Sequence, residues 1–318
     1  MVGIVAAVMT VAVVTGSILQ ATLFRGAWKR IEPYGQLVDV EDGRMHVHRM
    51  GNGARTIVLL PGLGVGLPSA DFGPLMRRLS ETYTVATVEY FGVGFSTETS
   101  RPRTARNYVE ETRVALQRAG LSAPYVLMPH SMSSVYSEYF AASYPDEVEA
   151  VVSLDGTTTA HYEEMPAIVK TLLPVAKVQQ AIGATSIIAP LAIDRTKLLA
   201  NGYTDKEISD MIAFAGFALN DTVLEQISNS AEFIEQTMDM PFPDSIPYFK
   251  VISRQTYETP NAQLRNADMT PQEYHRQHLE RIGEHARFEV LDGTHFIYLG
   301  NVGRIAEITD ELLLGVTR

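Results

Sequence analysis

The stretch Y-V-L-M-P-H-S-M-S-S at residues 125–134 decides how this chain folds. Residues 125–128 are an unbroken apolar run of the kind that forms a strand buried on both faces. A proline and a histidine then turn the chain, and residues 132–144 continue as a helix. Ser131 stands on the corner. A serine hydroxyl is a weak nucleophile at neutral pH, so it needs a base to take its proton and donors to hold the oxyanion that develops. A strand-turn-helix corner serves both needs. It lifts the side chain above the sheet and aims the first free N–H groups of the helix at the reacting carbonyl.

The spacing matches the G-x-S-x-G nucleophile elbow, with Pro129 and Ser133 in place of its glycines. Small residues at these positions let strand and helix approach closely. Ser133 meets that need and Pro129 departs from it. A serine that merely caps a helix behind a proline would give the same local pattern, so the other parts of a hydrolytic site must be sought elsewhere in the chain.

The bulk properties narrow the function classes. A length of 318 residues allows one large or two modest domains with ample core. The formal charge of −11 and pI of about 5.2, with no basic stripe, argue against a nucleic-acid partner and offer little overall attraction to anionic lipid headgroups. Without cysteine there are no disulfides, thiolate nucleophiles or cysteine-ligated metals. The histidines show no H-E-x-x-H pattern. His46 and His48 alternate on a strand and read as part of a solvated strand face rather than a metal pair. Neither a metal nor a cofactor is expected.

Residues 2–24 carry no charge. As one helix they would span roughly 34 Å, against a hydrocarbon core of about 30 Å. Trp28 and the cluster Arg25, Lys29 and Arg30 follow where an interface would lie. The expectation is a single N-terminal transmembrane helix holding the protein on a lipid bilayer. A cleaved signal peptide fits less well, because no basic segment precedes the apolar run. The three cations place the catalytic domain on the cytoplasmic side.

Beyond the anchor, residues 36–51 alternate as a hairpin broken at Glu41-Asp42-Gly43. Strands are expected at 56–60, 85–89, 125–128, 148–154, 248–252 and 288–291. Helices are expected at 72–82, 104–120 and 302–314, with another opened by Thr270-Pro271-Gln272-Glu273. This alternation implies a mostly parallel sheet with helices on both faces. Residues 157–242 interrupt it with helical signals alone, including two capping boxes, Thr204-x-x-Glu207 and Thr222-x-x-Glu225. The expected organisation is an anchor and juxtamembrane cluster over 1–30, an α/β core over 31–156 and 246–318, and a helical cap over 157–245.

The elbow calls for a base, an acid and two oxyanion donors. His295, in L-D-G-T-H-F after the last strand, is the candidate base, since functional groups gather at the carboxyl ends of strands in such sheets. Asp155 ends the strand after the elbow strand, and the order Ser131, Asp155, His295 is a serine-acid-histidine order. The other candidate acid is Glu258, because the loop after strand 248–252 offers no aspartate. The backbone N–H groups of Met132 and of Leu63, in Pro61-Gly62-Leu63-Gly64, are the candidate oxyanion donors. The turn F-G-V-G-F-S at 91–96 is read as structural.

With these residues in hand, the chain resembles the α/β-hydrolase-fold superfamily over about residues 36–318. The matches are L-L-P-G-L-G at 59–64, E-Y-F-G-V-G-F-S at 89–96, P-H-S-M-S at 129–133, Y-P-D-E-V-E-A-V-V-S-L-D at 144–155 and D-G-T-H-F at 292–296. The leading apolar segment, H-S-M-S and L-D-G look like a group of bacterial membrane-anchored, lid-bearing serine hydrolases. An acid placed like Asp155 is similar to that in one branch of the haloalkane dehalogenases. Those enzymes and the epoxide hydrolases use an aspartate nucleophile, so serine at 131 argues against both chemistries. Departures from the family pattern are Pro61 where histidine is common, Pro129 where glycine is common, and the missing acid after strand 248–252.

The resemblance implies a serine hydrolase of the esterase type acting through an acyl-enzyme on small to medium apolar esters, lipid-derived ones included. Apolar cap residues, among them Ile168, Leu172, Leu173, Ile187, Ile188, Leu191, Ile193, Met211 and Phe214, are expected mostly to pack the cap on the core, with some lining its entrance. Aminopeptidase or carbon-carbon bond hydrolase activity would use the same triad, and Glu163, Glu164 and Asp194 are cap acids able to hold a substrate amine. A non-catalytic binding protein on the same fold is the alternative from another class.

Overall fold

The computed structural model describes residues 2–162, 167–261, 264–265 and 267–315. Eight strands form one sheet: β1 (Gln36–Val40), β2 (Gly43–Met50), β3 (Thr56–Leu60), β4 (Thr84–Glu89), β5 (Tyr125–Pro129), β6 (Val148–Leu154), β7 (Tyr248–Ser253) and β8 (Arg287–Leu291). Their order is β1-β2-β4-β3-β5-β6-β7-β8. β2 runs antiparallel to β1 and β4, and every other pair is parallel. The mostly parallel sheet is the one the sequence leads one to expect.

Every residue of β3, β4 and β5 is buried, because helices cover both faces. On one face α5 (Ala105–Arg118) and α6 (Ser133–Ser143) set Tyr108, Leu116, Val135 and Phe140 against Val58, Val88 and Leu127. On the other, α4 (Gly73–Leu79) and α15 (Val302–Leu314) set Leu75, Met76, Ile305 and Ile308 against Ile57, Leu59 and Val126. Each large aliphatic side chain so buried contributes about 1.5–3 kcal/mol, and this burial fixes the sheet that carries the site.

Local chemistry sets the helix starts. Thr104 caps α5 by accepting from the Asn107 N–H, and Thr270 caps α14 (Pro271–Ile282) by accepting from that of Glu273. The Thr204/Glu207 capping box opens α10 (Asp205–Ala215) as expected. The second expected box is corrected. α11 (Asp221–Ser228) is capped by Asn220, while Thr222 bonds the backbone of Thr99 and Glu225 accepts from the Arg103 N–H. Asn220 is the stronger cap and starts the helix before Thr222 can. The helix expected over 72–82 is α4, and a separate short helix, α3 (Pro68–Asp71), precedes it, the chain turning at Phe72 ahead of Gly73-Pro74.

His46 is not on a solvated face. It is fully buried, with Nε2 accepting from the Gly35 N–H at 2.8 Å and Nδ1 facing Glu89 and Ser69. Ser69 of α3, Glu89 and the Phe95 ring close over it and keep water from that face of β2.

Between β6 and β7 the described residues form helices and no strand: α7 (Ala167–Ala181), α8 (Ala184–Ala192), α9 (Arg195–Ala200), α10, α11 and α12 (Ser230–Met238). The uncharged N-terminal run is helical, but as α1 (Val2–Leu19) followed by a π-helical turn (Gln20–Phe24) and the short α2 (Arg25–Trp28). Among the described residues no single helix is long and apolar enough to cross a membrane, so the expected single transmembrane helix over 2–24 is not seen among them. The turn falls where Gln20 is drawn into the helical insertion, donating to the Gly216 carbonyl and accepting from Ser186. Trp28 likewise packs on Phe214 and Phe217, at ring-centroid distances of 5.8 and 5.1 Å, rather than standing free at an interface.

Candidate active site

The nucleophile position is built by the β5–α6 corner. Ser131 has a φ of 54°, a left-handed conformation that a serine adopts only when its surroundings insist. Three bonds do so. Its N–H donates to Leu154 O at 3.2 Å, and its carbonyl accepts from Ser134 N at 3.0 Å and Thr157 N at 3.1 Å. The facing loop comes so close that a Cβ on Gly62 would lie 2.8 Å from Ser131 Cβ and 2.7 Å from His130 Nδ1, so only glycine fits there.

Ser133, one of the two departures from the elbow pattern, does more than fill a small space. Its Oγ donates to Pro61 O at 2.5 Å and accepts from the Tyr90 hydroxyl at 2.8 Å, which ties the elbow helix to the loop that carries Leu63. Pro129, the other departure, closes β5 and pairs in register with Leu60.

The three triad candidates meet. His295 Nε2 lies 2.9 Å from Ser131 Oγ, and its Nδ1 lies 2.7 Å from Asp155 Oδ2. With Nδ1–H donating to the carboxylate, Nε2 is the acceptor for the serine proton. The His295 side chain is 40% exposed, so a substrate and a water can reach it, whereas that of Asp155 is only 1% exposed. A carboxylate so buried needs donors. Asp155 Oδ1 accepts from Ser253 N at 2.7 Å and Thr256 Oγ1 at 2.6 Å, and Oδ2 accepts from Ser253 Oγ at 3.1 Å. Glu258 is not among these groups; it lies exposed on α13 (Arg254–Glu258) in an ion pair with Arg254. The loop after β7, where an acid is missing, supplies instead the hydroxyls that hold the acid of β6.

Two features of the site have little sequence signal. His130 Nε2–H donates to the backbone carbonyl of His295 at 3.0 Å, and burial together with the His295 imidazole lowers the His130 pKa to about 3, so that it is neutral. Gln255 Oε1 accepts from the His295 N–H at 3.2 Å. Both fix the loop bearing the base. The hint available in the sequence is position alone: a histidine beside the nucleophile, and a polar run directly after a strand end. The N–H groups of Leu63 and Met132 donate to no acceptor among the described residues, which leaves both free to meet an oxyanion.

A cavity of about 520 Å³ adjoins the site, reaching Gly64 beside Leu63 and Phe296 beside His295, and lined by Ile193, Met211 and Leu219 of the insertion. This volume suits a small-molecule ligand. Phe214 is buried, but Leu172, Ile187, Ile188 and Leu191 are exposed rather than packed on the core. Asp194 also borders the cavity and accepts from the Lys197 N–H as the cap of α9. Glu163, Glu164 and the side chain of Ile168 lie outside the described residues.

Comparison with known proteins agrees with this architecture. A family model described as the alpha/beta hydrolase fold matches residues 55–177. The chain is 25% identical over 298 residues to the uncharacterized protein YbdG of Bacillus subtilis, covering 88% of this chain and 85% of that protein. Among solved structures, the Cif epoxide hydrolase from Acinetobacter nosocomialis aligns with a TM-score of 0.68 at 12% identity, over 93% of this chain and 96% of the other. The enol-lactonase from Burkholderia xenovorans LB400 aligns with a TM-score of 0.61 at 17% identity, over 88% of this chain and all of the other. Strand order, elbow and family model together make the chain an α/β-hydrolase-fold protein.

Proposed function

We propose that the protein is a serine hydrolase that cleaves carboxylic esters of small to medium apolar substrates. Ser131 Oγ attacks the ester carbonyl as His295 Nε2 takes its proton, and the oxyanion meets the N–H groups of Leu63 and Met132. His295 returns the proton to the departing alkoxide, leaving an acyl-serine. Water, activated by the same imidazole, then releases the acid. Asp155 holds the imidazole in the needed tautomer and stabilises the imidazolium.

The observation that carries this reading is the Ser131–His295–Asp155 chain of contacts at 2.9 and 2.7 Å. Serine at 131 favours acyl transfer over the aspartate-based chemistry of epoxide hydrolases. The apolar lining of the adjoining cavity favours apolar groups on the substrate. A series of 4-nitrophenyl esters from acetate to decanoate tests it. The wild type is expected to turn over the shorter members, and Ser131→Ala to lose at least about 10³-fold of that activity. Turnover that survives in Ser131→Ala would overturn the reading.

Membrane attachment through residues 2–24, with the catalytic domain on the cytoplasmic side, is the localisation we propose. It is supported by the uncharged run and by exposed Arg25, Lys29 and Arg30 after it. Protection of the domain from protease added to intact cells is expected, and its digestion would reverse the orientation.

A further inference from the structure

The bend between α7 and α8 exposes a cluster of large apolar side chains. Residues 178–193 contain no Asp, Glu, Lys or Arg. The two helices meet at 96°, turning at Gly183, whose φ is 74°. Leu172, Val175 and Val178 on α7 and Ile187, Ile188 and Leu191 on α8 face outward, Leu191 with 83% of its surface exposed. Stripes of this kind on neighbouring helices are rare on a protein surface that meets only water.

Two polar side chains near the bend, Gln180 and Ser186, are already used. Gln180 exchanges two hydrogen bonds with the backbone of Leu219, and Ser186 donates to Gln20.

The N-terminal helix is fastened to this bend. A Cβ on Gly16 would lie 2.2 Å from the Ile182 carbonyl oxygen, and Gln20 bonds Gly216 and Ser186. Val11, Val14 and Ile18 of α1 are exposed beside it. From Gly16 to Arg25 a helix advances about 13 Å. At the far end of that step stand exposed Arg25, Lys29 and Arg30, with no carboxylate partner among the described residues, in a chain whose net charge is −11. An apolar unit that ends in a belt of free cations matches hydrocarbon followed by anionic headgroups.

We propose that the α7–α8 bend and α1 enter one leaflet of an anionic lipid bilayer as a single unit. This deepens the membrane attachment proposed above and rests on it. Because Gly16 and Ile182 touch, neither can reach the acyl region without the other. Ile193, where α8 ends, lines the cavity that runs to Phe296 beside His295. The cavity thus opens next to lipid, and the substrate class that fits is an amphiphilic ester drawn from the bilayer.

The absence of cysteine makes single-site labels unambiguous. The full chain would be reconstituted into phosphatidylcholine–phosphatidylglycerol vesicles with one fluorophore at Leu191→Cys, Val14→Cys or Arg118→Cys. Arg118 is exposed at the end of α5, just before β5 begins, and so lies at the opposite end of the sheet from the elbow. Labels at 191 and 14 are expected to be quenched by brominated lipid and shielded from iodide, with the label at 118 behaving oppositely. A lipid-buried label at 14 with an iodide-accessible one at 191 would overturn the proposal and leave the N-terminal attachment standing. Iodide access at both would overturn both.

Discussion

His130 Nε2 lies 3.0 Å from the backbone carbonyl of His295, so the residue before the nucleophile holds the loop that carries the base. This contact ties the strand end that carries the nucleophile to the loop that carries the base. Removing it with His130→Ala is expected to lower kcat about tenfold, the worth of one hydrogen bond, with KM nearly unchanged. His130→Asn, which keeps a donor, should recover part of the loss. An equal fall of stability and kcat in both variants would mean that His130 serves the core alone.

The acid can be told from its rival by substitution. Asp155→Asn is expected to lower kcat by roughly 10³–10⁴-fold while the fold survives, because the imidazole loses both its tautomer and its counter-charge. Glu258→Gln should change activity less than twofold, since Glu258 is exposed and paired with Arg254. Steady-state kinetics of the two variants with one soluble ester would decide the matter.

The fold was largely legible because its signals are local. Apolar runs marked β3 and β5, and Thr104 and Thr270 marked helix starts. Ser131, Asp155 and His295 could be read because each stands at a strand end where such sheets gather their chemistry. What escaped depends on contacts distant in sequence. Nothing near Ser133 announces its bond to Pro61, and the gap left by the missing acid after β7 gave no sign that Ser253 and Thr256 would turn back toward Asp155. Nothing in the uncharged run announces the contacts of Gln20 and Trp28, because their partners lie far along the chain, in the insertion.

Ser133 gives a prediction of its own. Ser133→Ala would leave the Tyr90 hydroxyl buried without its acceptor and Pro61 O without its donor. A loss of about 1–3 kcal/mol in urea unfolding is expected, together with a fall in kcat as the loop bearing Leu63 loosens. Unchanged stability would show that water replaces the bond.

Stability should fall in mild acid. Burial, with the Lys250 and His278 charges adding to it, lowers His275 to about 2; burial and Lys250 lower His278 to about 4; and His130 stands at about 3. Below pH 6.5 the unfolded chain binds protons at these positions and the folded chain does not. Their stabilisation is therefore full above pH 6.5 and is lost as pH drops toward the folded values, at up to about 1.4 kcal/mol per pH unit for each group. Asp71, raised to about 6 by burial, acts in the opposite sense between pH 6 and 3.8 and offsets part of the slope. Urea melts between pH 7 and 4.5 should show the decline, and His275→Leu should flatten it. A slope identical to wild type would exclude His275 as a contributor.

The most direct test of the central claim is covalent. Purified protein treated with a fluorophosphonate probe and analysed by peptide mass spectrometry is expected to carry one adduct, on Ser131, with labelling abolished in Ser131→Ala and slowed by orders of magnitude in His295→Ala. A folded wild type that does not label, or that labels at another serine, would contradict an activated nucleophile at the β5–α6 corner.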